Sequence, residues 1–225
     1  MECILRGLKI KIYTQRLKIM LDLHSISMRR GMLYETIITT VNSDKTPNAA
    51  PIGVICKDKD EIVVYLHEGS RTIKNIKNNG TFVVNILKDP LVFVESTMGN
   101  LSPEYFLEFN DNYAIQEADA YFLAKVNDLK DIERKDQFGI DKSSIIRADV
   151  EGIVKNKDCV EPLNRAMYGV VEALVYLTRK DMVSGETEKL YNLRMKEISR
   201  IVNKVGAKEH KEAIKKVMTA WNEGK

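Results

Sequence analysis

Residues Glu68-Gly-Ser-Arg-Thr-Ile-Lys-Asn-Ile76 bring a glycine, two hydroxyl side chains and an arginine to the head of a segment with helical spacing. Free backbone N–H groups and the helix dipole at such a start favour an anion. Arg71 can add a charge-assisted pair to a phosphate, and Ser70 and Thr72 can donate hydroxyl hydrogens. The same residues also permit a plainer use, with Ser70 capping the helix and Arg71 a solvated charge. Upstream stands Thr46-Pro-Asn-Ala-Ala-Pro-Ile-Gly-Val54, where Asn48, Ala49, Ala50 and Gly53 around Pro51 leave a flat, open backbone against which a planar ring can lie. Ordinary edge-strand packing is the alternative, since proline belongs on sheet edges. Thr81-Phe-Val-Val-Asn-Ile86 completes the block.

The elements that must position these residues are mostly strands. Leu33 to Asn42 is β-branched and aromatic, and Asn42-Ser43-Asp44-Lys45 supplies the turn to a second strand near Asn48–Cys56. Glu61–His67 is a third strand. Ser70–Asn79, with Ile73 and Ile76 at helical spacing, is a short helix closed by Gly80. Thr81–Leu87 and Leu91–Ser96 are strand-like, Leu101–Asp119 reads as loop with some helix, and Ala120–Asp128 and Ser144–Val154 restore strand character. Strands joined by short turns, with few long helices between them, predict an antiparallel barrel over a doubly wound sheet.

After Cys159 the period changes to that of helices. Leu163, Met167, Val170, Val171, Leu174 and Val175 form one apolar face; Leu190, Leu193, Ile201 and Val205 form another; Ala213, Ile214, Val217 and Trp221 form a third. Ser184-Gly185 and Gly206 separate them. The chain thus divides into an N-terminal extension over 1–31, a barrel over 32–159 and a helical domain over 160–225.

Residues 1–31 carry seven basic and two acidic side chains, a local balance of +5 that leaves −2 for the rest of a chain whose formal charge is +3. A slightly acidic body offers nucleic acid no general attraction. Charges interrupt the apolar runs of the extension before a signal-peptide core can form. With Met28 and Met32 just ahead of the first strand, the extension is either a translation-start artefact or an amphipathic surface segment. Nor does the chain contain an uncharged apolar run suited to a membrane. The three cysteines and three histidines are scattered, without CxxC or Cys/His clusters, so a reducing, cytoplasmic compartment and no metal are expected.

In this order, the three pieces resemble the FMN-binding split β-barrels of the flavin reductase and pyridoxamine-phosphate-oxidase-like superfamily. More closely, they resemble the archaeal family called domain of unknown function 447. The similarity runs from Leu33 to the C-terminal end and includes Asn164-Arg165-Ala166, Glu172-Ala173-Leu174 and Thr178-Arg179; residues 1–31 lie outside it. The resemblance implies a split barrel with a helical C-terminal part, and a homodimer holding FMN near the subunit interface. Asn48, Ala49, Ala50, Pro51, Ile52 and Gly53 would hold the ring. Ser70, Arg71 and Thr72 would hold the phosphate, with Lys74, Asn75 and Asn85 as further candidates. Arg165 and Arg179 either reach the site or remain surface charges.

The implied activity is that of an FMN-dependent oxidoreductase with a small-molecule substrate or electron donor. Such chemistry needs no side-chain nucleophile, and no GxSxG or HExxH motif is present. Two alternatives stay open. One is the deazaflavin F420, whose longer acidic tail would want an extended basic groove where the compact Ser-Arg-Thr cluster suits one phosphate. The other is a non-catalytic flavin-binding or sensor protein whose helices engage a partner.

Overall fold

The structure, a computed structural model, describes residues 22–99, 101–136 and 139–223. Strands β1 (Leu33–Val41), β2 (Pro47–Cys56) and β3 (Glu61–His67) lead into helix α1 (Arg71–Asn79) and strand β4 (Thr81–Ile86). Helix α2 (Pro90–Met98), a small hairpin β5 (Phe106–Phe109) and β6 (Asn112–Ile115), and the long strands β7 (Ala120–Asp136) and β8 (Gly139–Lys155) follow. Helices α3 (Arg165–Arg179), α4 (Gly185–Val205) and α5 (Lys208–Glu223) end the chain. The expected barrel is present: β1-β2-β3-β8-β7-β4 form a closed antiparallel barrel, β4 returning to β1 over Ile37–Thr39.

Both faces of β1 are covered. Tyr34 and Ile38 point into the barrel with Val54, Ile62, Val64, Phe82, Val84 and Phe122. The intervening Ile37, with Val83, Tyr121 and Leu123, packs beneath α2 and the β5–β6 hairpin. Alternation along a strand therefore serves two cores at once.

Three local expectations change. Leu91–Ser96 reads as strand but lies in α2. Asp89 caps the helix by accepting from the N–H groups of Leu91 (2.8 Å) and Val92 (3.4 Å), and Pro90 stands in its first turn. Capping and a proline at the helix start override β-branched composition. The stretch expected to be loop with some helix contains the hairpin, turned by Asn110 and Asp111 at φ 47 and 58°. Two consecutive left-handed residues are what a type I′ turn requires. Strands β7 and β8 also run past their expected ends, since they hydrogen-bond to each other from Ala120↔Lys155 to Asp136↔Gly139.

The N-terminal boundary moves as well. Up to residue 21, the basic extension lies outside the described residues. From Asp22 on, however, the chain belongs to the barrel: Leu23, Ile26 and Met28 are fully buried in its core. The segment is stitched in by backbone bonds, with Leu23 N–H on Lys59 O (2.7 Å) and Gly31 N–H on Cys56 O (2.7 Å). Tyr34 Oη accepts the Arg29 N–H at 2.7 Å. The stretch eluded sequence reading because a short 3-10 turn has no period long enough to register.

Helices α3, α4 and α5 pack around Ala166, Val170, Ala173, Tyr176, Met195, Val202 and Trp221. At Gly169 a Cβ would come within 2.7 Å of Val202 Cγ2, so α3 and α4 approach more closely there than alanine allows. The breaks at Gly185 and Gly206 fall as expected. The face of α3 does not, for Met167, Val171 and Leu174 point outward. Asn164 ties the bundle to the barrel: its Nδ2 donates to Leu33 O (2.6 Å) and Val205 O (2.9 Å), and its Oδ1 caps Ala166 N–H.

Because Ile26 sits fully buried in the barrel, Ile26→Ala is expected to cost about 2–5 kcal/mol of unfolding free energy in urea titrations. A substitution in a dispensable extension would leave the midpoint where it is.

Candidate functional site

Strand β2 pairs with β1 along its whole length, from Pro47↔Val41 to Ile55↔Leu33, but with β3 only over Val54–Cys56. One edge of residues 47–53 thus has no ladder partner. Pro47 and Pro51, which lack N–H donors, suit that open edge. All seven of these residues are half-buried, whereas Val54 is fully covered. The result is a flat strip of small side chains with backbone groups available along one side.

Helix α1 begins beside it. Gly69 turns the chain at φ 86°, and Ser70 Oγ accepts the Ile73 N–H at 3.4 Å. The plainer role for Ser70 is therefore real, and its hydroxyl hydrogen remains free to donate. Thr72, Ile73, Asn75 and Ile76 are buried while Arg71 and Lys74 face out. The first N–H groups of a helix have no intrahelical acceptor, so those of Arg71 and Thr72 remain for an anion. Arg71 forms no ion pair with a described residue. Its charge does reach Asp44, whose carboxyl is held below its ordinary range first by the Thr46 hydroxyl and amide and only lastly by Arg71.

A buried amide network joins strip and helix. Asn48 Nδ2 donates to Thr72 Oγ1 (3.3 Å) and to Thr40 Oγ1 (3.1 Å). Asn75 Nδ2 donates to the same Thr40 Oγ1 (3.0 Å) and to Asn42 Oδ1 (2.8 Å). Four elements thereby converge: β1 at Thr40, the hairpin turn at Asn42, β2 at Asn48 and α1 at Thr72 and Asn75.

Of the candidates read from sequence, Asn48, Ala49, Ala50, Pro51, Ile52 and Gly53 lie on the strip, and Ser70 and Arg71 stand at the helix start. Thr72 is buried, with its hydroxyl engaged by Asn48, so its backbone N–H is the group offered outward. Lys74 is exposed on the next turn. Asn75 is a strut of the network. Asn85 stands apart, fully buried, with Nδ2 on Ile37 O (3.0 Å) and Thr39 Oγ1 (3.1 Å) and Oδ1 receiving Ile115 N–H (2.7 Å). It braces β4, β1 and β6 and, fully buried, presents none of its groups at the surface.

Arg165 pairs with Glu35 at 2.5 Å, and Glu35 is the register partner of Gly53. Arg179, at the far end of α3, lies about 20 Å further along the axis at 1.5 Å per residue. Sequence reasoning missed Thr36, which donates to Ile52 O at 2.9 Å, and Thr40. Their signal was polarity at the same alternate positions as Ile38, on the barrel-facing side of β1. Among the described residues no cluster of His, Cys, Asp or Glu could hold a metal ion.

Residues 34–147 match the family model described as "Protein of unknown function (DUF447) N-terminal domain", and residues 164–219 that described as "Protein of unknown function (DUF447)". An uncharacterized protein of Methanocaldococcus jannaschii is 28% identical over 185 residues, 80% of this chain and 94% of that protein. The crystal structure of an FMN-bound DUF447 protein from Methanosarcina mazei superposes with a TM-score of 0.50 at 28% identity, covering 88% of this chain and 100% of the other. The styrene monooxygenase flavin reductase of Pseudomonas putida S12 covers 63% of this chain and 89% of its own, at 15% identity and a TM-score of 0.46.

Thr40→Val keeps the shape but removes the acceptor of two amides, that of the buried Asn75 and that of the half-buried Asn48. An orphaned buried donor costs about 1–3 kcal/mol, so chemical denaturation is expected to show a clear loss of stability, while the exposed Arg71→Ala stays within about 0.5 kcal/mol of wild type.

Proposed function

We propose, given that the chain belongs to the DUF447 family, that it is an FMN-binding flavoprotein acting as an oxidoreductase in a homodimer. The observation that carries this reading is the coupling, through Asn48 and Thr72, of an open strand edge to an open helix N-terminus. FMN has the matching two parts, a planar ring with a polar rim and a single terminal phosphate. The FMN-bound Methanosarcina relative, 28% identical over its whole length, supports the assignment.

When bound, FMN supplies hydride or electron transfer, and the protein supplies binding, orientation and electrostatics. Ala49 and Gly53 on one face of β2, and Ala50 on the other, keep bulky side chains away from a ring laid along the strand edge. The unpaired backbone edge of residues 47–53 offers donors and acceptors to the ring's polar rim. At the other end, the Ser70 hydroxyl, the Arg71 guanidinium and the N–H groups of Arg71 and Thr72 hold the phosphate, with Lys74 adding positive charge nearby. Thr40, Asn75 and the Thr72 side chain act indirectly, fixing the distance between the two ends. Asn85 supports the sheet alone.

The strip gives the ring one wall. A small-molecule site buries most of its ligand's surface, so a second copy of the chain completes the enclosure, leaving an opening for a small-molecule substrate or electron donor. Among the described residues no helix is long and apolar enough to cross a membrane. The free thiols of Cys56 and Cys159 suit a reducing cytoplasm. The division into barrel and helical domain is retained at residue 159, with residues 22–31 assigned to the barrel.

The purified protein is expected to be yellow and to release FMN, not FAD, on heating, as read by chromatography of the supernatant. Arg71→Ala removes a charge-assisted bond of about 1.5–3 kcal/mol, which corresponds to roughly a ten- to hundred-fold weaker FMN affinity. Riboflavin, lacking the phosphate, should bind both forms alike in fluorescence titration. An equal loss for riboflavin, or a colourless protein that takes up no added FMN, would sink the assignment.

A further inference from the structure

Helices α4 and α5 leave a groove between them at the surface of the bundle, a cavity of about 600 Å³. That volume lies within the range of small-molecule sites. Along one wall α5 sets Lys208, Lys211 and Lys215, and along the other α4 sets Ser199 and Asn203. The three lysines recur at i, i+3 and i+7, which puts them on one face of the helix over about 10 Å of its length.

For the chain by itself this placement is unfavourable. Lys208 and Lys211 fall within the first four residues of α5, where the helix dipole disfavours a cation. Lys211 is also three residues from one like charge and four from another, and such neighbours repel along a helix. Acidic side chains are at hand but engaged elsewhere. Glu209 pairs with Arg29 of the segment that enters the barrel at 2.8 Å, and Glu212, which borders the groove, pairs with Lys216 at 3.2 Å. On α4, Arg200 and Glu197 satisfy each other at 2.6 Å. Lys208, Lys211 and Lys215 form no ion pair with a described residue. A merely solvated helix face mixes signs so that neighbours support one another. Here three cations share a cavity, and the one acid beside them is already taken.

The rest of the lining is neutral. Ser199 Oγ accepts from Asn203 Nδ2 at 3.4 Å, which leaves the Ser199 hydroxyl hydrogen to donate, and Asn203 Oδ1 remains an acceptor. Beyond Lys215 the α5 wall continues with the uncharged Met218, Thr219 and Asn222. The groove is therefore cationic along one half and polar but neutral along the other.

This pattern selects among anions. A long nucleic acid would leave the groove for a body whose charge balance outside residues 1–31 is −2, where nothing general attracts it. A lone phosphate is too small to meet three lysines spread over about 10 Å. Several phosphates in a row can meet them all, and the neutral half then has room for an uncharged polar group attached to the last of them.

We infer that the groove between α4 and α5 binds a small ligand built on a chain of linked phosphates, supplied as a nucleoside triphosphate or as inorganic polyphosphate. The site shares no residue with the strip on β2 or the start of α1, and it does not rest on the flavin reading.

The test uses the full-length protein, titrated with ATP, tripolyphosphate, AMP and inorganic phosphate without added divalent cation, and followed by calorimetry and thermal melting. ATP or tripolyphosphate is expected to raise the melting midpoint by roughly 5–10 °C at a hundred times its dissociation constant. AMP and phosphate should bind at least about ten-fold more weakly. ATP binding tighter than tripolyphosphate identifies the nucleoside as occupant of the neutral half, and equal binding identifies the phosphate chain as the whole ligand; both uphold the site. Lys211→Glu is the deciding variant. It places an acid near the helix start, three residues from Lys208 and four from Lys215, so without ligand it should melt at or above wild type. Its affinity for ATP should nonetheless fall by roughly a hundred-fold, and that of Lys215→Gln by roughly ten-fold. Lys189→Ala, on α4 outside the groove, should leave ATP affinity unchanged. FMN titration of Lys211→Glu should match wild type, so wild type that binds ATP and takes up no FMN defeats the flavin reading and spares this one. Absence of binding by either polyphosphate at millimolar concentration overturns the inference. Binding that persists unchanged in both lysine variants overturns it too, and would seat the anion at Arg71 or on the basic residues 1–21. An oligonucleotide or a glutamate-rich peptide that displaces ATP at lower concentration than tripolyphosphate does would also overturn it, assigning the groove to a macromolecule.

Discussion

The Thr40 hydroxyl receives two amide hydrogens, one from Asn48 on β2 and one from Asn75 on α1, and the geometry of the candidate site hangs on that double acceptance. A hydroxyl oxygen has two lone pairs, and here both are used. Because the oxygen is buried, water cannot replace either partner, and leaving a donor unpaired is costly. The strand with the open edge and the helix whose first N–H groups have no intrahelical acceptor are therefore held at one separation. Asn42 carries the same constraint outward, accepting from Asn75 while its own Nδ2 donates to Thr46 Oγ1 at 2.9 Å across the β1–β2 turn.

That network operates where the barrel opens. β2 follows β1 throughout but departs from β3 before Val54, and the open edge that results would ordinarily invite unwanted strand pairing. Two prolines blunt it, and its neighbours give it a use. Apolar layers on both sides of β1 make this opening possible, because the sheet stays rigid from within and from beneath α2 even where one ladder is missing. Asn85 contributes there, locking β4 to β1 and to the β5–β6 hairpin at the closure of the barrel.

The helical part is not a loose appendage. Asn164 bonds to Leu33 O and Val205 O while capping α3, and Glu35 N–H reaches Leu163 O at 2.8 Å. The same residues that start α3 thus anchor it to β1, one strand away from the flat strip. This explains how Arg165 comes to pair with Glu35 on β1 while Arg179 stands at the other end of the same helix.

Much of this was legible from sequence, and the parts that were not share a physical cause. Local rules suffice where a residue acts on its own neighbourhood: Ser70 as cap, Gly80 as left-handed terminator, alternation in Leu33–Val41, the breaks at Gly185 and Gly206, and the order that places an open strip before an anion-favouring helix. They fail where the deciding partner is distant in the chain. Leu91–Ser96 has strand composition, yet Asp89 and Pro90 start a helix that the barrel wall then supports. Leu23, Ile26 and Met28 look like part of a charged leader until the open end of a barrel is there to receive them. An asparagine in a strand reads the same whether it faces a ligand, as Asn48 can, or a carbonyl across the sheet, as Asn85 does. On α3 two apolar faces compete, and periodicity alone cannot say which one meets Met195 and Val202. Sequence by itself determined the kinds of element, their order and the chemistry each can offer; only the tertiary structure decided which groups were already used up, because a hydrogen bond or a packed face is consumed by contacts that local spacing does not encode.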